Sequence, residues 1–187
     1  MKILDQKVIY QGWGRFLLLT VRLANGAVVS RQLEDHGAAA AVLPYDAARG
    51  VALLARMPRP GPLFCGEGAD IMEACAGIID PGETPEAGAR REALEELGVR
   101  LTDLEPLARA WSAPGGSSEA IWLYLAPYAA ADRIAPGGGL EAENEEIEVL
   151  ELPLKELARQ VDAGEVRDLK TLALILALRV RRPELFA

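Results

Sequence analysis

Apolar positions along the chain predict a strand-rich N-terminal part followed by mixed strands and helices. Runs rich in Val, Leu, Ile and Phe at 7–10, 15–23 and 27–33 are typical of strands. Asn25-Gly26 lies between the last two runs and is a strong hairpin signal. The uninterrupted apolar run at 38–45 indicates a central strand that is buried on both faces. We therefore expect an N-terminal hairpin ahead of a larger sheet.

The rest of the chain alternates shorter strand patterns with helical ones. Strands are predicted at 51–56, 71–79, 107–111, 120–126 and 145–152, and helices from Pro153 to about 163 and over 168–182. Three prolines and three glycines make 58–68 a predicted loop. The segment 129–139 is rich in Ala, Gly and Pro, so we expect a mobile loop in which Gly137-Gly138-Gly139 acts as a hinge.

The stretch from Gly77 to Val99 predicts a turn followed by a helix. Thr84 suits the N-cap, and Pro85 suits the first helical position. Gly98 suits the left-handed residue that ends a helix. The helical period gives this segment one apolar face, which we expect to be buried. Its members are Ala87, Ala93, Leu94 and Leu97.

Three carboxylates share the opposite face of this helix, at about 100° per residue. They are Glu92, Glu95 and Glu96. Like charges at this spacing repel by roughly 0.2–0.5 kcal/mol per pair when exposed. A solvated acidic face is one interpretation. A divalent cation site is the other, because Mg²⁺ prefers carboxylate and phosphate oxygens. Gly88 lies one turn earlier on the same face and leaves room for a ligand.

The same stretch resembles the signature of the Nudix hydrolase family, G-x5-E-x7-R-E-U-x-E-E-x-G-U, in which U is apolar. Every specified position is filled, by Gly77, Glu83, Arg91, Glu92, Ala93, Glu95, Glu96, Gly98 and Val99. The small Ala93 is a mild departure. The resemblance implies an α/β fold, the family's α/β/α sandwich with a mixed sheet, to which the N-terminal antiparallel hairpin is added. It also implies metal-dependent cleavage of a nucleoside diphosphate linked to another group.

The resemblance further implies roles for individual residues of this signature. Glu92 and Glu96 are expected to be catalytic as the principal metal ligands. The full set of implied ligands for Mg²⁺, or for Mn²⁺ as the alternative, is Glu92, Glu95, Glu96, Glu145 and the carbonyl of Ala76. Glu83 and Arg91 are expected to brace the turn against the helix through an ion pair, and Gly98 is expected to be structural.

The acidic tract at 141–146 supplies candidates for the general base. In isolation the tract fits a solvated acidic loop. It also resembles the E-N-E element of ADP-ribose and sugar-nucleotide Nudix hydrolases, which implies Glu143 as the catalytic base and Glu145 as a metal ligand. A loop that closes over bound substrate would deliver such a carboxylate late in the cycle. Glu141 and Glu146 remain alternatives for the base.

Segments outside this signature extend the resemblance to the nucleotide-sugar branch of the family. The run at 73–77 resembles the E-x-x-A-G lead-in, and 113–119 is similar to the S-P-G-G-x-x-E segment of GDP-mannose hydrolases, with Ala113 in place of serine. The implied substrate-binding residues are Arg31, Arg59, Glu73, Gly77, Pro114, Gly115, Gly116 and Glu119. Hydrolysis of GDP-mannose to a nucleoside monophosphate and a sugar 1-phosphate is the favoured activity. ADP-ribose is the alternative substrate, and a non-catalytic nucleotide-binding or regulatory module is the alternative of another class.

The remaining aromatic residues and the single histidine have less specific interpretations. Trp13 is suited either to stacking on a nucleobase or to simple strand packing. Trp111 and Trp122 are expected in the core. His36 is expected to be structural or exposed, and a metal site with several histidines is excluded because the chain has only this one.

Composition limits the partners and the compartment. The 187 residues carry a net charge of −8, with a pI near 4.8, which argues against nucleic-acid binding through a basic patch. Cys65 and Cys75 make no disulfide framework, so we expect a cytoplasmic protein. No apolar run predicts a signal peptide or a membrane span. We expect a homodimerisation arm at 1–36 and a hydrolase domain at 37–187 that takes a small nucleotide sugar.

Overall fold

The computed structural model describes residues 1–140 and 146–187, which form two β-sheets and four α-helices. The strands are β1 (Lys2–Gln11), β2 (Arg15–Arg22), β3 (Val28–Asp35), β4 (Ala39–Asp46), β5 (Val51–Pro58), β6 (Asp70–Glu73), β7 (Cys75–Ile78), β8 (Glu105–Trp111), β9 (Ala120–Pro127) and β10 (Glu148–Pro153). The helices are α1 (Pro60–Phe64), α2 (Pro85–Leu97), α3 (Leu154–Asp162) and α4 (Leu169–Arg181). Within these described ranges, no helix is long and apolar enough to cross a membrane.

The larger sheet has the order β10-β5-β4-β9-β8, with β6 paired to β5 and β7 paired to β4. Strands β4 and β9 run parallel, whereas their other neighbours pair antiparallel, so the sheet is mixed. Helix α2 packs on one face of this sheet, and helices α3 and α4 pack on the other. The predicted α/β/α sandwich is confirmed.

Strand β4 shows how the sequence forms a core on both faces of the sheet. Successive side chains of a strand point to opposite faces. Ala41 and Leu43 therefore belong to the cluster beneath α3 and α4, whereas Ala40 and Val42 pack against α2. All eight residues of the strand are buried. The prediction from the apolar run at 38–45 is confirmed.

The single strand predicted at 71–79 is wrong, because the chain changes its partner in the middle. Strand β6 pairs with β5, whereas β7 pairs with β4. Ala74 separates the two strands, and its amide donates a hydrogen bond of 2.6 Å to the Thr171 hydroxyl. The Thr171 side chain on α4 thus satisfies a buried amide that has left the sheet ladder.

The predicted loop at 58–68 contains the five-residue helix α1. Pro60 is its first residue, and the fixed φ of proline suits that position. The Cys65 amide donates to the Gly61 carbonyl at 3.1 Å, which closes the turn. A segment rich in proline and glycine therefore still forms one helical turn before the chain returns to β6.

The buried face of α2 is rotated relative to the prediction. Ala93 and Leu97 are buried as predicted, but Leu94 is 38% exposed and Ala87 is exposed. The helix packs on the sheet through Ala89, Ala93 and Leu97, which are spaced by four residues. This contact line turns Leu94 towards solvent and turns Glu96 inwards.

The prediction that Trp111 belongs to the core is wrong. Strand β8 is an edge strand, and Trp111 at its end is 52% exposed. The Arg109 guanidinium lies 5.1 Å from the Trp111 ring and 4.7 Å from the Trp122 ring. Trp122 is half-buried and packs against the cluster beneath α2. The Arg109 guanidinium therefore makes cation–π contacts with both tryptophans.

The N-terminal segment forms a three-stranded antiparallel sheet in the order β1-β2-β3, one strand more than a hairpin. Gly26 has a φ of 86° in the predicted turn between β2 and β3. Leu17, Leu19 and Val21 form the small buried cluster of this sheet. The Glu34 amide donates to the Gly116 carbonyl at 2.8 Å, so β3 is hydrogen-bonded to the turn before β9.

Candidate active site

Helix α2 begins and ends at the predicted residues because both of its ends are capped. The Thr84 hydroxyl accepts a hydrogen bond from the Ala87 amide at 3.2 Å, and Pro85 is the first helical residue. Gly98 has a φ of 67°, and its amide donates to the Leu94 carbonyl at 3.1 Å. The caps fix the length of the helix and thus the direction in which its carboxylates project.

Arg91 connects Glu83 in the turn before α2 to two glutamates of the helix. Its Nε and Nη2 donate to the Glu83 carboxylate, both at 3.1 Å, and Nη2 also donates to the Ile78 carbonyl at 2.9 Å. Its Nη1 donates to Glu92 Oε1 at 2.7 Å and to Glu95 Oε2 at 3.0 Å. The hydrogen bond with Glu83, followed by those with Glu92 and Glu95, raises the pKa of Arg91 against its desolvation. The ion pair expected between Glu83 and Arg91 is thus present, and it also holds the neighbouring carboxylates.

Two carboxylates of α2 lie against strand β7. Glu96 is only 2% exposed, and its Oε2 accepts a hydrogen bond from the Ala76 amide at 3.3 Å. Glu92 lies over Gly77, where a Cβ would overlap its carboxylate. The buried Cys75 thiol is close to Glu96, and burial followed by that negative charge raises the thiol pKa. Both carboxylates are therefore held at the junction of helix and strand.

A cavity of about 980 Å³ opens beside this junction. Charged side chains of both signs line it. The acidic ones are Asp80, Glu92, Glu96, Glu119, Glu146 and Asp168, and the basic ones are Arg59, Arg91 and Lys170. A phosphorylated ligand accompanied by a divalent cation matches this mixture, because its phosphates need positive partners and its cation needs carboxylates.

Arg59 and Lys170 form a cationic wall of this cavity, which we call the basic wall. Arg59 Nε and Nη2 donate to the two oxygens of Glu73 at 2.8 and 3.1 Å, and Lys170 also donates to Glu73. Lys170 Nζ lies 3.2 Å from Asp168. Burial alone would raise the pKa of the Glu73 carboxyl, but Arg59 and Lys170 outweigh burial and lower it. The ionised Glu73 thus holds two cations side by side.

Trp13 and His36 line the cavity on the side of the N-terminal sheet. Trp13 stacks on His36 with ring centroids 4.8 Å apart, and Trp13 remains 77% exposed. His36 Nε2 lies 3.2 Å from Glu119 Oε1, and its Nδ1 lies 3.3 Å from Glu34 Oε1. His36 therefore lies between two carboxylates and one indole ring, as a part of the site rather than an isolated surface residue.

The residues predicted to bind substrate are divided between two places. The 980 Å³ cavity contains Arg59, Gly77 and Glu119, whereas a second cavity of about 590 Å³ contains Arg31, Gly115 and Gly116. Pro114 and Glu73 line neither cavity. Glu73 is buried behind Arg59, so its contact with the cavity is made through that guanidinium.

The remaining predicted residues have the following positions. Glu95 does not line either cavity, and its carboxylate is directed at Arg91. The predicted base Glu143, its alternative Glu141 and the predicted ligand Glu145 lie outside the described residues. Glu146, the other alternative for the base, lines the 980 Å³ cavity.

The donor set around this cavity fits a divalent cation that is shared with substrate. In residues 1–140 and 146–187, no three His, Cys, Asp or Glu side chains are grouped closely enough to hold a metal by themselves. Mg²⁺ usually takes one or two carboxylates and completes its shell with water and substrate phosphate oxygens. Glu92 and Glu96 supply two carboxylates, and the neighbouring Ala76 also lines the cavity.

Lys170 is the principal residue of the site to which the sequence assigned no role. It lies in the first turn of α4, directly after Leu169, and Asp168 caps that helix. A cation in the first turn opposes the helix dipole. This unfavourable position of a lysine was the only sign of a role in the sequence, because a cation in the first turn needs a compensating partner. In the structure that partner is Glu73.

Carboxylates and cations thus line one cavity on a mixed sheet between helices, a combination that suits a phosphorylated small molecule and a divalent cation. The NUDIX domain family model matches residues 35–174, and the chain belongs to the Nudix family. Nudix hydrolases generally use divalent metal ions.

Curated relatives extend over nearly the whole chain. A GDP-mannose pyrophosphatase of Cronobacter sakazakii is 36% identical over 186 residues, which cover 97% of this chain and 96% of that protein. One from Citrobacter koseri is 38% identical over 154 residues, covering 81% and 79% of the two chains. One from Klebsiella pneumoniae is 34% identical over 182 residues, covering 95% and 90%.

Proposed function

We propose that the protein hydrolyses the pyrophosphate bond of a nucleoside diphosphate sugar in the presence of Mg²⁺. GDP-mannose is the favoured substrate, and the products are a nucleoside monophosphate and a sugar 1-phosphate. The observation that carries this proposal is the cavity in which Glu92 and Glu96 face the basic wall of Arg59 and Lys170. Similarity to enzymes named GDP-mannose pyrophosphatase over 97% of the chain supports the choice of sugar nucleotide.

The acidic side of the cavity would hold the cation, with Mn²⁺ as the alternative to Mg²⁺. Glu92 and Glu96 are its proposed ligands, with the Ala76 carbonyl, Glu95 and Glu145 as further ones. A bound divalent cation supplies charge neutralisation at the phosphoryl group and lowers the pKa of a coordinated water. Arg91 keeps the Glu92 carboxylate in place through a hydrogen bond of 2.7 Å.

The basic wall would bind the phosphate groups. The pair with Glu73 uses Nε and Nη2 of Arg59, which leaves the Nη1 donors for a phosphate oxygen. Lys170 adds a second positive charge on the same side. Charge that develops on the leaving phosphate is stabilised by such prepositioned donors. Glu73 therefore acts by orienting both cations rather than by contacting substrate.

Proton removal from the attacking water is the proposed role of Glu143. This assignment comes from the E-N-E resemblance, and Glu143 lies outside the described residues. Glu146, which follows closely in the chain, lines the cavity and is the alternative base within the described part. A general base must come within hydrogen-bond distance of the water from which it removes a proton.

A panel of nucleotide sugars tests this function. GDP-mannose, ADP-ribose, UDP-glucose and ADP-glucose are each incubated with Mg²⁺ or with EDTA, and the phosphate monoester products are separated by chromatography. We expect hydrolysis in Mg²⁺ alone, with the highest kcat/KM for GDP-mannose. If kcat/KM were highest for ADP-ribose, ADP-ribose would become the proposed substrate in place of GDP-mannose. Nucleotide binding without any product would show a non-catalytic module and contradict the proposal.

The same assay includes variants of helix α2. Glu92→Gln removes one proposed ligand, whereas Glu86→Gln changes an exposed glutamate in the first turn of the same helix. We expect activity to be lost only in Glu92→Gln. An equal loss in both variants would attribute the effect to the helix rather than to the site.

A further inference from the structure

The segment 134–139 wraps around the C-terminal end of helix α2. The Gly138 amide donates to the Glu96 carbonyl at 2.8 Å, and the Gly139 amide donates to the Glu95 carbonyl at 3.1 Å. The Ile134 amide donates to the Gly98 carbonyl at 2.9 Å. The last carbonyls of a helix have no partner within the helix. The glycine run supplies partners for the main-chain carbonyls of Glu95 and Glu96.

This contact is so close that only glycine fits at two positions. A Cβ on Gly137 would lie 2.5 Å from the Glu96 carbonyl oxygen and 2.7 Å from the Leu97 carbonyl carbon. A Cβ on Gly98 would overlap the Ala135 carbonyl. We call Gly98, Gly137, Gly138 and Gly139 the glycine clasp. Each has a positive φ, so glycine is favoured on conformational grounds as well.

The clasp is an alternative to the expected hinge at 137–139 in a mobile loop. A hinge needs backbone groups that are free to rotate, whereas two amides of this run are hydrogen-bonded to α2. The preceding residues Ala130–Asp132 form a turn of 3-10 helix. Glycine is used here because two backbones approach each other closely.

We propose that Gly137 is a positioning residue for the carboxylate of Glu96. The main-chain carbonyl of Glu96 accepts a hydrogen bond from Gly138, and Gly137 lies so close to the same carbonyl that a Cβ would clash with it. The Glu96 carboxylate contacts the Ala76 amide at 3.3 Å. Glu96 is 2% exposed, so its side chain has little room to compensate for a shift of its backbone. A side chain at 137 moves the end of α2 and draws the carboxylate away from the cation position. This role rests on the proposed function of Glu96 as a metal ligand.

A matched pair of variants tests the role. Gly137→Ala and Gly164→Ala introduce the same methyl group at nearly the same φ, 73° and 70°, but a Cβ on Gly164 meets no atom within 4 Å. Strain from the left-handed backbone is therefore common to both variants. Mn²⁺ binding without substrate is measured by electron paramagnetic resonance, and Tm, kcat and KM are measured in parallel.

We expect Mn²⁺ binding at least tenfold weaker in Gly137→Ala and unchanged in Gly164→Ala. The kcat should fall with the metal affinity in Gly137→Ala, whereas KM for the nucleotide sugar should change little. Wild-type Mn²⁺ affinity in a folded Gly137→Ala would overturn the proposal. Weaker Mn²⁺ binding in Gly137→Ala, together with a wild-type protein that hydrolyses no nucleotide sugar, would uphold the clasp and reject the enzymatic function.

Hydrogen exchange on the wild-type protein covers the case in which Gly137→Ala does not fold. The clasp predicts that the Gly138 and Gly139 amides exchange slowly, at rates close to those of the amides in the last turn of α2. Exchange at the rate of an unprotected loop would overturn the proposal, because the run would then be the hinge that the sequence suggests.

Discussion

Gly77 lies directly beneath the carboxylate of Glu92, so closely that a methyl group on Gly77 would overlap it. Strand β7 pairs Gly77 with Ala40, and the backbone there accepts any residue. The need for glycine at this position therefore comes from the site and not from the strand. The Glu92 side chain contributes the obstructing atoms, and its far end can move.

Gly77→Ala should therefore impair activity much more than stability. The new methyl group displaces the Glu92 carboxylate from its place, and disturbing the groups that orient a metal ligand costs about 10- to 100-fold in metal affinity or activity. The Tm should change little, because a flexible side chain yields before the sheet does. Steady-state kinetics across a Mg²⁺ series and thermal denaturation measure the two effects.

The control for this variant is Gly61→Ala, where a Cβ would meet no atom within 4 Å. It should leave kcat and the Mg²⁺ requirement at wild-type values. Full activity of Gly77→Ala at low Mg²⁺ would contradict the assigned position of Glu92.

Glu96→Gln should remove most turnover while the folded state keeps or gains stability. Glu96 is buried beside Glu92 in the same cavity, so the metal-free protein carries two neighbouring carboxylates. Removing one charge relieves their repulsion, and a glutamine oxygen can still accept from the Ala76 amide. We expect a loss in kcat on the order of 10²-fold or more and a Tm in EDTA at or above that of the wild type.

The stability measurement separates two interpretations of Glu96. If the Glu96 carboxylate stabilises the fold, Glu96→Gln should lower Tm in EDTA. If it serves to bind metal, Glu96→Gln should not lower Tm in EDTA. A lower Tm in EDTA with turnover near that of the wild type would reject the ligand role.

Local chemistry made one part of this site predictable. Thr84, Pro85 and Gly98 fix the helix through contacts with neighbours in sequence, so the limits of α2 could be inferred from the residues alone. The spacing of its glutamates then predicted which carboxylates share a face. The prediction of the buried face was less accurate, because the helix packs on the sheet through its alanines, and Leu94 and Ala87 therefore face outwards.

Contacts between distant segments were not predictable. Lys170 meets Glu73 across 97 residues, and His36 meets Glu119 across 83. No hydrophobic periodicity or motif in the sequence predicts such long-range contacts. The glycine run gave a misleading signal, because glycine serves a hinge and a close backbone contact equally well. Only the position of α2 shows that Gly137 belongs to the second kind.

Acid should destabilise the protein in part through Glu73. The Arg59 and Lys170 partners outweigh burial and lower the folded-state pKa of Glu73 below its ordinary value of 4.5. A carboxyl group with a lowered folded pKa contributes stability above its unfolded pKa, and that contribution is lost as pH falls through the folded value. Wild-type Tm should therefore fall as the pH is lowered below 4.5.

Glu73→Gln should have a lower Tm at neutral pH and a smaller further loss in acid. The change removes the carboxylate that Arg59 and Lys170 share and leaves Asp168 as the partner of Lys170. Glu148→Gln is the control, because Glu148 pairs with Arg56 at 2.9 Å but remains 60% exposed, and exposed pairs contribute little. Identical slopes of Tm against pH for Glu73→Gln and the wild type would contradict the assignment.

The N-terminal sheet should form a homodimer. Strand β1 is exposed along its whole length, with Ile3, Val8 and Ile9 between 48% and 55% exposed. Exposed apolar side chains on an edge strand are typical of a surface that pairs with another copy. Val8→Asp should shift the mass measured by light scattering towards that of the monomer at micromolar concentration.

The matched control is Gln6→Asp, which adds the same single negative charge at an exposed position of β1 and removes no apolar surface. It should leave the dimer intact. A monomeric wild-type protein would count against the arm, as would a dimer that survives both Val8→Asp and removal of residues 1–36.

The two glutamates of the E-N-E element should respond differently to neutralisation. Glu143 and Glu145 lie outside the described residues, and their roles are proposed from the family element. A general base acts on the proton of the attacking water, so Glu143→Gln should lower kcat with little change in the Mg²⁺ requirement. A metal ligand acts on cation affinity, so Glu145→Gln should raise the Mg²⁺ concentration needed for half-maximal rate.

The neighbouring glutamates make this test selective. Glu141→Gln and Glu146→Gln change the same charge within the same tract, and Glu146 already lines the cavity that contains Glu92 and Glu96. Full kcat in Glu143→Gln combined with an inactive Glu146→Gln would move the base to Glu146. That result would place proton removal on a residue that already lines the cavity two positions before β10, and the site would then need no closing loop to complete it.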